Sequence, residues 1–251
     1  MKKILILNLA GYAYFYIVFI INQKIIFIMS EILQQLSLCI EKGRVNKDSN
    51  YPADMKGRPG ALELTQQALS EGIIAQDILN IGFLPGMKIV GDRFKDGKIF
   101  LPEVLISARA MSSAMELLKP YFQSGEANYK GKVIMGTVAG DLHDIGKNIV
   151  KMVLEGGGWQ VVDLGINVNA ENFIDAINSN SAKVVGLSAL LTTTMQNMNE
   201  IVRKIKSETK DVLVVIGGAP VTKAFSDSIN ADEYFPDPQG LLDYLNKIMS
   251  K

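Results

Sequence analysis

The stretch that decides the fold is KVIMGTVAGDLHDIGKNIVKMVLE, residues 132–155. Its first eight residues, 132–139, form an apolar run rich in β-branched side chains, which is typical of a buried strand. Residues 145–155 then place apolar side chains at helical spacing, which predicts a helix soon after the strand. Between the two lies a short polar loop that contains His143, the only histidine of the chain. Strand, loop and helix in this order form the first part of a parallel β/α unit.

The same alternation of strands and helices continues to the end of the chain. Further β-branched runs predict strands at residues 160–165, 183–190 and 212–217, with a short fifth strand at Tyr234-Phe235. Helices are predicted at residues 170–178, 194–207 and 241–249. Alternation with continuously apolar strands predicts an α/β domain with a five-stranded, doubly wound, Rossmann-like parallel sheet. Ligands bind beyond the carboxyl ends of the strands in such folds, so a site is expected at the loop that contains His143.

Residues 30–122 have a helical periodicity instead. Apolar side chains repeat at helical spacing in four stretches, after Ser30 and within residues 62–69, 78–94 and 104–118. Pro85-Gly86 is expected to kink or divide the third helix, and Pro102 suits the first turn of the fourth. Four such helices predict an N-terminal bundle. The polar residues 123–130 are predicted to be a linker to the sheet domain, residues 131–251.

The first 29 residues differ in composition from the rest of the chain. Residues 4–23 are twenty uncharged, mainly apolar positions, long enough to span a bilayer, and the two lysines before them also resemble a signal peptide. The favoured interpretation is a start read upstream of the true one, with Met29 as the native first residue, because charge and composition change there. The protein is then expected to be cytoplasmic. A membrane-tethered protein is the alternative if residues 1–28 are real.

Composition and charge exclude several classes of function. The 26 basic residues equal the 26 acidic ones, so no basic excess indicates a nucleic-acid partner. The single cysteine, Cys39, cannot form an internal disulfide, which fits a reducing compartment. One histidine and one cysteine also exclude the zinc sites that need several such ligands from the protein. A metal bound by His143 must therefore take its other ligands elsewhere.

The loop after the first strand, GDLHDIGKN at residues 140–148, carries the candidate chemistry. Asp141 is expected to accept a hydrogen bond from the imidazole nitrogen of His143 that does not bind a metal, which would fix the tautomer and raise the basicity of the ring. Gly146 allows a ligand or another backbone to approach closely. A structural histidine and the Asp-His pair of a hydrolase are the alternatives, although no Ser or Cys lies in a nucleophile-elbow setting.

Three linked motifs resemble the signature of cobalamin-binding domains. They are Asp141-x-His143-x-x-Gly146, Ser188-x-Leu190 and Gly217-Gly218, with 41 residues between the first two and 26 between the last two, which fits the family pattern. A further resemblance covers the helical part, where Val90-Gly91-Asp92-Arg93-Phe94 and Phe100-Leu101-Pro102-Glu103 are similar to the helical cap of methionine synthase and of the corrinoid proteins of methanol, methylamine and betaine methyltransferase systems. Together the resemblances cover residues 30–250.

The resemblance implies a cobalamin or a related corrinoid as cofactor and a role for each site residue. His143 would be the lower axial ligand of cobalt, Asp141 would hydrogen-bond it, and Thr194 would extend that relay where the family commonly has serine. The other implied residues belong to the first motif, to the slot for the nucleotide tail and to the cap over the methyl-bearing face: Gly140, Asp144 and Gly146; Ser188, Leu190, Thr192, Gly217 and Gly218; Phe94 and Leu101.

The implied function is methyl carriage. A substrate-specific methyltransferase would load the cobalt from a methylamine, methanol, a betaine or an aryl methyl ether, and a second methyltransferase would move the methyl group to a thiol or a folate. A reductive activase is a further expected partner, and the chain alone would catalyse neither half-reaction. Two alternatives are the small subunit of a mutase, which predicts no helical cap, and a cobalamin-sensing regulator, which needs a DNA-binding helix-turn-helix.

Overall fold

The computed structural model of the protein describes residues 28–249, so the predicted apolar extension lies almost entirely outside the described residues. The N-terminal part is helical, as predicted. Its elements are α1 (residues 28–42), a short 3-10 turn (Ala53–Met55), α2 (Ala61–Ser70), α3 (Ala75–Asp77), α4 (Leu84–Lys95) and α5 (Leu101–Gln123). They share an apolar core that includes Leu36, Leu64, Phe83 and Met111.

The predicted division near Pro85 takes the form of a wider helical turn. Residues Ile78–Phe83 form a π-helical segment that joins α3 to α4, and Pro85 lies in the first turn of α4. The Leu84 N–H donates to the carbonyl of Leu79, five residues earlier. Proline has no N–H and its ring crowds the preceding turn, so a local widening before it keeps the helix continuous.

The C-terminal part is a parallel sheet covered by helices. The strands are β1 (Lys132–Thr137), β2 (Gln160–Asp163), β3 (Val184–Ser188), β4 (Leu213–Gly217) and β5 (Glu233–Tyr234). The helices are α6 (Ile145–Gly156), α7 (Ala170–Asn180), α8 (Met195–Glu208), α9 (Lys223–Ser228) and α10 (Pro238–Met249). The order β2-β1-β3-β4-β5, with every pair parallel, confirms the doubly wound fold. Only α9 was not predicted, because six residues are too few to reveal a helical repeat.

The helical cap and the sheet share part of one core. On one face of the sheet, α7 and α8 bury Phe173 and Ile201. On the other face, Val90 of α4 and Val104 of α5 lie in the same apolar cluster as Leu154 of α6 and other side chains of the sheet and α10. Burial of this apolar surface from water attaches the cap to the sheet domain. Across residues 28–249, no helix combines the length and apolarity that a bilayer span needs.

Candidate functional site

The site lies where the strand order of the sheet changes direction. From β1 the chain runs to β2 at the edge, then crosses back to β3 on the other side of β1. Thr137, Ser188 and Gly217, the last residues of β1, β3 and β4, are direct neighbours in the register of the sheet. The loops that follow them therefore meet at one edge, which is where open parallel sheets bind their ligands.

Asp141 and His143 form a hydrogen-bonded pair in the loop after β1. Asp141 is fully buried, whereas half of the His143 side chain is exposed. Asp141 Oδ1 accepts hydrogen bonds from the His143 backbone N–H at 3.0 Å and from the ring nitrogen Nδ1 at 2.8 Å. Because an ionised carboxylate can only accept, Nδ1 carries the hydrogen, and in the neutral imidazole Nε2 then has the lone pair. The imidazole is thus held in the tautomer that can bind a metal through Nε2.

The second oxygen of Asp141 joins this loop to the loop after β3. Oδ2 accepts hydrogen bonds from the backbone N–H groups of Leu190 at 2.8 Å and Leu191 at 3.2 Å, and from the Thr194 hydroxyl at 2.7 Å. Burial alone would raise the pKa of Asp141, but the bonds from Leu190, Thr194 and His143 outweigh it and hold that pKa far below its usual value. The carboxylate is therefore ionised, and it is in contact with both His143 and Thr194.

Two asparagines that sequence reasoning missed fix the backbone of the His143 loop. Gly140 has a left-handed conformation, with φ of +82°, and its N–H donates to Asn167 Oδ1 at 2.7 Å. Asn197 Nδ2 donates to the carbonyl of Ala139 at 2.7 Å. These contacts join residues 27 and 58 positions apart, so no local sequence pattern marks them. The Thr137 hydroxyl adds a bond to the carbonyl of His143 at 2.9 Å.

A cavity of about 610 Å³ lies between the cap and the carboxyl ends of β1, β3 and β4. Six predicted site residues line it: Phe94, Leu101, Gly146, Ser188, Gly217 and Gly218. Most other lining side chains are apolar, among them Met135, Leu187 and Phe235. Gly140, Asp141, His143, Asp144 and Thr194 do not line this cavity, and neither do Leu190 and Thr192, which were predicted at the nucleotide slot. Both are exposed in the loop after β3.

Apolar side chains next to His143 face solvent. Leu142 is 66% exposed and Ile145 is 76% exposed, and Leu190 and Leu191 across the loop are each more than two fifths exposed. Asp144 is exposed as well and accepts a hydrogen bond from the Asn148 side chain at 3.0 Å. Large apolar side chains grouped in this way mark a binding surface. The surroundings of His143 are suited to a broad, largely apolar ligand.

The donor set fits a corrinoid and does not fit a metal held by the protein alone. Within residues 28–249, no group of three or more His, Cys, Asp or Glu side chains is arranged to hold a metal ion. A corrin ring brings four equatorial nitrogens, so one imidazole suffices. The space in the cavity also fits a corrinoid. A side chain at Gly146 would meet no protein atom within 4 Å, so this wall of the cavity has open space that a ligand can occupy.

Comparisons with known proteins agree with this site. A B12 binding domain family matches residues 131–236, and a second B12 binding domain family matches residues 58–119. A corrinoid protein of Desulfitobacterium hafniense (strain Y51) is 36% identical over 194 residues, covering 75% of this chain and 90% of that protein. Trimethylamine corrinoid protein 1 of Methanosarcina acetivorans is 39% identical over 178 residues, covering 69% of this chain and 82% of that protein.

A solved structure has the same architecture. The chain matches one from the methanol:cobalamin methyltransferase complex MtaBC of Methanosarcina barkeri with a TM-score of 0.73 at 28% identity. The match covers 88% of this chain and 80% of that chain. The fold and site thus define a cobalamin-binding protein with a helical cap.

The chain belongs to the corrinoid protein family, and it binds cobalamin or a related corrinoid. The family, the fold and the cofactor implied by the sequence are confirmed. The helical cap also disagrees with the mutase alternative, which predicts none.

Proposed function

We propose that this chain is a methyl carrier in which Nε2 of His143 is the lower axial ligand of the corrinoid cobalt. The observation that carries the proposal is the 2.8 Å hydrogen bond from Nδ1 of His143 to buried Asp141, which leaves Nε2 as a free donor atom. The bound corrinoid supplies a cobalt centre that accepts and releases a methyl group. The chain's own residues bind the corrinoid, orient the imidazole and exclude water from the cavity.

Asp141 and Thr194 orient the ligand and tune its basicity. A carboxylate behind a metal-bound imidazole fixes the ring and increases its electron donation. Thr194 and the Leu190 N–H hold the carboxylate in place through Oδ2. Gly140 and Asp144 shape the loop that presents His143. Acid opposes coordination, because Nε2 binds a metal only when it is unprotonated.

The cavity would receive the nucleotide tail of the cofactor. Ser188 supplies a hydroxyl, while Gly146, Gly217 and Gly218 leave room at the walls. Leu190 and Thr192 lie in the loop that touches Asp141, and they would contact the corrinoid beside His143. The remaining wall is the cap, from which Phe94 and Leu101 would cover the methyl-bearing face. Apolar cover keeps water away from a reactive reduced metal.

The relatives suggest which enzymes the carrier serves. One relative is a trimethylamine corrinoid protein and one solved neighbour is a methanol:cobalamin methyltransferase complex. We therefore propose that a substrate-specific methyltransferase loads this chain and that a second methyltransferase passes the methyl group to a thiol or folate. A reductive activase and a cytoplasmic location belong to the same proposal. The proposed domains of the chain are a cap at residues 30–122, a linker at 123–130 and the corrinoid domain at 131–251.

Methyl transfer in a reconstituted system tests this function. The chain loaded with cobalamin and reduced to Co(I) is mixed with a methylamine or methanol methyltransferase and its substrate, and methylation of the cofactor is followed by absorption. We expect methylation only when chain, enzyme and substrate are all present, and loss of the methyl group when a thiol and the second methyltransferase follow. If methyl iodide methylates the reduced cofactor but no methylamine or methanol system does so, and no betaine or aryl methyl ether system does so in the same assay, the proposed carrier function is wrong.

A further inference from the structure

Lys147 is a buried cation in an unfavourable place. Its side chain is only 2% exposed, and it is the third residue of α6. The first turn of a helix carries a partial positive charge, which disfavours a lysine there. Burial of an ammonium group costs further free energy unless it is paired. Asp144 at the N-cap of α6 bonds to the Asn148 side chain, and no acidic residue lies in the first turn itself, so the partner of Lys147 comes from another element.

Asp163, the last residue of β2, supplies that charge. Lys147 Nζ donates to Asp163 Oδ1 at 2.6 Å and to the side chain of Asn148 at 2.9 Å. The same Oδ1 accepts the backbone N–H of Gly165 at 2.9 Å. Burial would raise the pKa of Asp163, but the bonds from Lys147 and Gly165 lower it below its usual value. An ionised carboxylate thus joins the first turn of α6 to the loop after β2.

The loop after β2 in turn contacts both ends of the His143 loop. The Gly165 carbonyl accepts the N–H of Thr137 at 2.9 Å, at the end of β1. The Asn167 N–H donates to the Asp141 carbonyl at 3.0 Å, and the Asn167 side chain accepts the Gly140 N–H at 2.7 Å. Lys147 and Asp163 therefore close a ring of contacts that runs from α6 through the loop after β2 to the segment that holds His143.

We propose that Lys147 is a positioning residue for His143: its pair with Asp163 fixes α6 against the loops after β1 and β2 and so strengthens coordination by the imidazole. This inference rests on the proposed function, in which His143 binds cobalt. The stem of Lys147 also lines the cavity beside Gly146, whereas Asp163 does not. Its Nζ is bonded to Asp163 and Asn148, so the effect on His143 is assigned to the loop backbone and Asp163, and Asp163→Asn tests it without changing the cavity wall. Groups that support a metal ligand from behind change metal affinity by about 10–100-fold when they are removed, and one step further out we expect the lower end, about tenfold.

The chain offers a matched control at the same carboxylate. Lys151 Nζ lies 3.5 Å from Oδ2 of Asp163, and its side chain is 34% exposed. Lys151→Met removes the same charge from the neighbourhood of Asp163 without opening the ring of contacts. Lys147→Met and Asp163→Asn each remove one partner of the ion pair and so interrupt this ring of contacts. The double variant Lys147→Met/Asp163→Asn removes the pair without leaving a buried charge.

The experiment is a pH titration of the cobalamin-loaded proteins in the Co(II) state, read by electron paramagnetic resonance. Coordination competes with protonation of Nε2, so tenfold weaker coordination moves the midpoint of imidazole dissociation up by about one pH unit. We expect this shift in Lys147→Met, in Asp163→Asn and in the double variant. The shift in the double variant should be no larger than in either single variant, because both substitutions break the same ion pair. We expect the wild-type midpoint in Lys151→Met.

Two outcomes overturn the inference, and they can be told apart. If wild type shows imidazole splitting and Lys147→Met keeps its midpoint, even with a lower melting temperature, the lysine is merely structural and the proposed function survives. If wild type shows no imidazole splitting at any pH, the proposed function fails and this inference fails with it. Should Lys147→Met not fold, Asp163→Asn decides, and an unchanged midpoint there is equally contradictory.

Discussion

The sheet side and the cap side of the site are held by different forces. On the sheet side, the carboxylate of buried Asp141 accepts five hydrogen bonds from two loops. On the cap side, Phe94 and Leu101 are half-buried and line the cavity with apolar surface. Hydrogen bonds depend on angle and distance, whereas apolar burial has no preferred direction. The sheet side therefore orients the imidazole of His143, the proposed metal ligand, more strictly than apolar burial orients Phe94 and Leu101 on the cap side.

The largest effect on stability is expected at Gly218, on the sheet side, where there is no space for a side chain. Gly218 has φ of +132°, and a Cβ built there would lie 1.9 Å from the carbonyl oxygen of Ala189. Gly218→Ala should therefore lower the free energy of unfolding by roughly 3 kcal/mol or more. The measurement is urea denaturation of the cofactor-free chain.

The adjacent glycine is the control for that experiment. A Cβ at Gly217 would meet only the Phe235 carbonyl, at 3.5 Å, an ordinary contact. Gly217→Ala should cost under about 1 kcal/mol. Equal losses in the two variants would show that the sheet side is not as rigid as its backbone contacts indicate.

A second prediction removes the charge at the centre of the sheet side. Asp141→Asn replaces a carboxylate that only accepts with an amide whose NH₂ group faces hydrogen-bond donors. We expect the free energy of unfolding to fall by about 2–3 kcal/mol at pH 7. The folded pKa of Asp141 lies below the unfolded value, so the stabilisation is complete above the unfolded pKa and fades as the pH falls. With an unfolded pKa of about 3.9, the difference in free energy of unfolding between wild type and variant should be smaller by about 1 kcal/mol at pH 3 than at pH 7.

Denaturant unfolding at pH 7 and pH 3 checks this expectation. A difference that stays the same at both pH values would mean that Asp141 is not the group whose ionisation stabilises the loops. Binding of corrinoid should persist in the variant, because the cavity walls at Ser188 and Gly217 are untouched.

The third prediction tests the cap side. Phe94→Ala and Leu101→Ala should each cost about 1–2 kcal/mol, less than the 2–5 kcal/mol of a fully buried side chain, because both are half-buried. Corrinoid should stay bound, while photolysis of the methylated cofactor and oxidation of the reduced cofactor become faster. Ile99→Ala is the control, since Ile99 packs in the same apolar cluster as Phe94 but does not line the cavity. Unchanged photolysis in Phe94→Ala and Leu101→Ala would show that the cap does not cover the methyl group.

The smallest effects are expected at Thr194, the outermost member of the relay. Thr194→Val removes the hydroxyl that donates to Asp141 and should cost about 1–2 kcal/mol. Thr194→Ser keeps the hydroxyl and should cost under about 1 kcal/mol. Thermal unfolding of the three proteins checks the order. If the serine variant lost as much stability as the valine variant, packing of the methyl group rather than the hydrogen bond would be the role of Thr194.

Much of the fold could be predicted because local pattern determines it. The β-branched runs predicted the first four strands, and Tyr234-Phe235 marked the short fifth one. Strand β1 ends two residues before the predicted Ala139 because Val138 only bridges Val168. The cap helices were predicted from apolar spacing, including the interruption near Pro85. The pairing of Asp141 with His143 followed from their spacing of two, since a short loop brings them together.

What could not be predicted depends on contacts between distant positions. Lys147 looks like a surface lysine in sequence, and only the folded chain reveals that Asp163 pairs with it from another strand. Asn167 and Asn197 are hidden for the same reason. Leu190 and Thr192 are exposed in a loop whose Leu190 N–H bonds to Asp141, and their place at the nucleotide slot stays a prediction.

The most direct test of the central claim labels a single imidazole. Because His143 is the only histidine, growth with ¹⁵N-histidine labels one ring in the whole chain. We predict that electron paramagnetic resonance of the Co(II) state shows a nitrogen triplet in unlabelled protein, a doublet in labelled protein and neither in His143→Ala. A triplet that survives both the labelling and the substitution would mean that the cofactor keeps its own base, and the assignment of His143 as the cobalt ligand would be wrong.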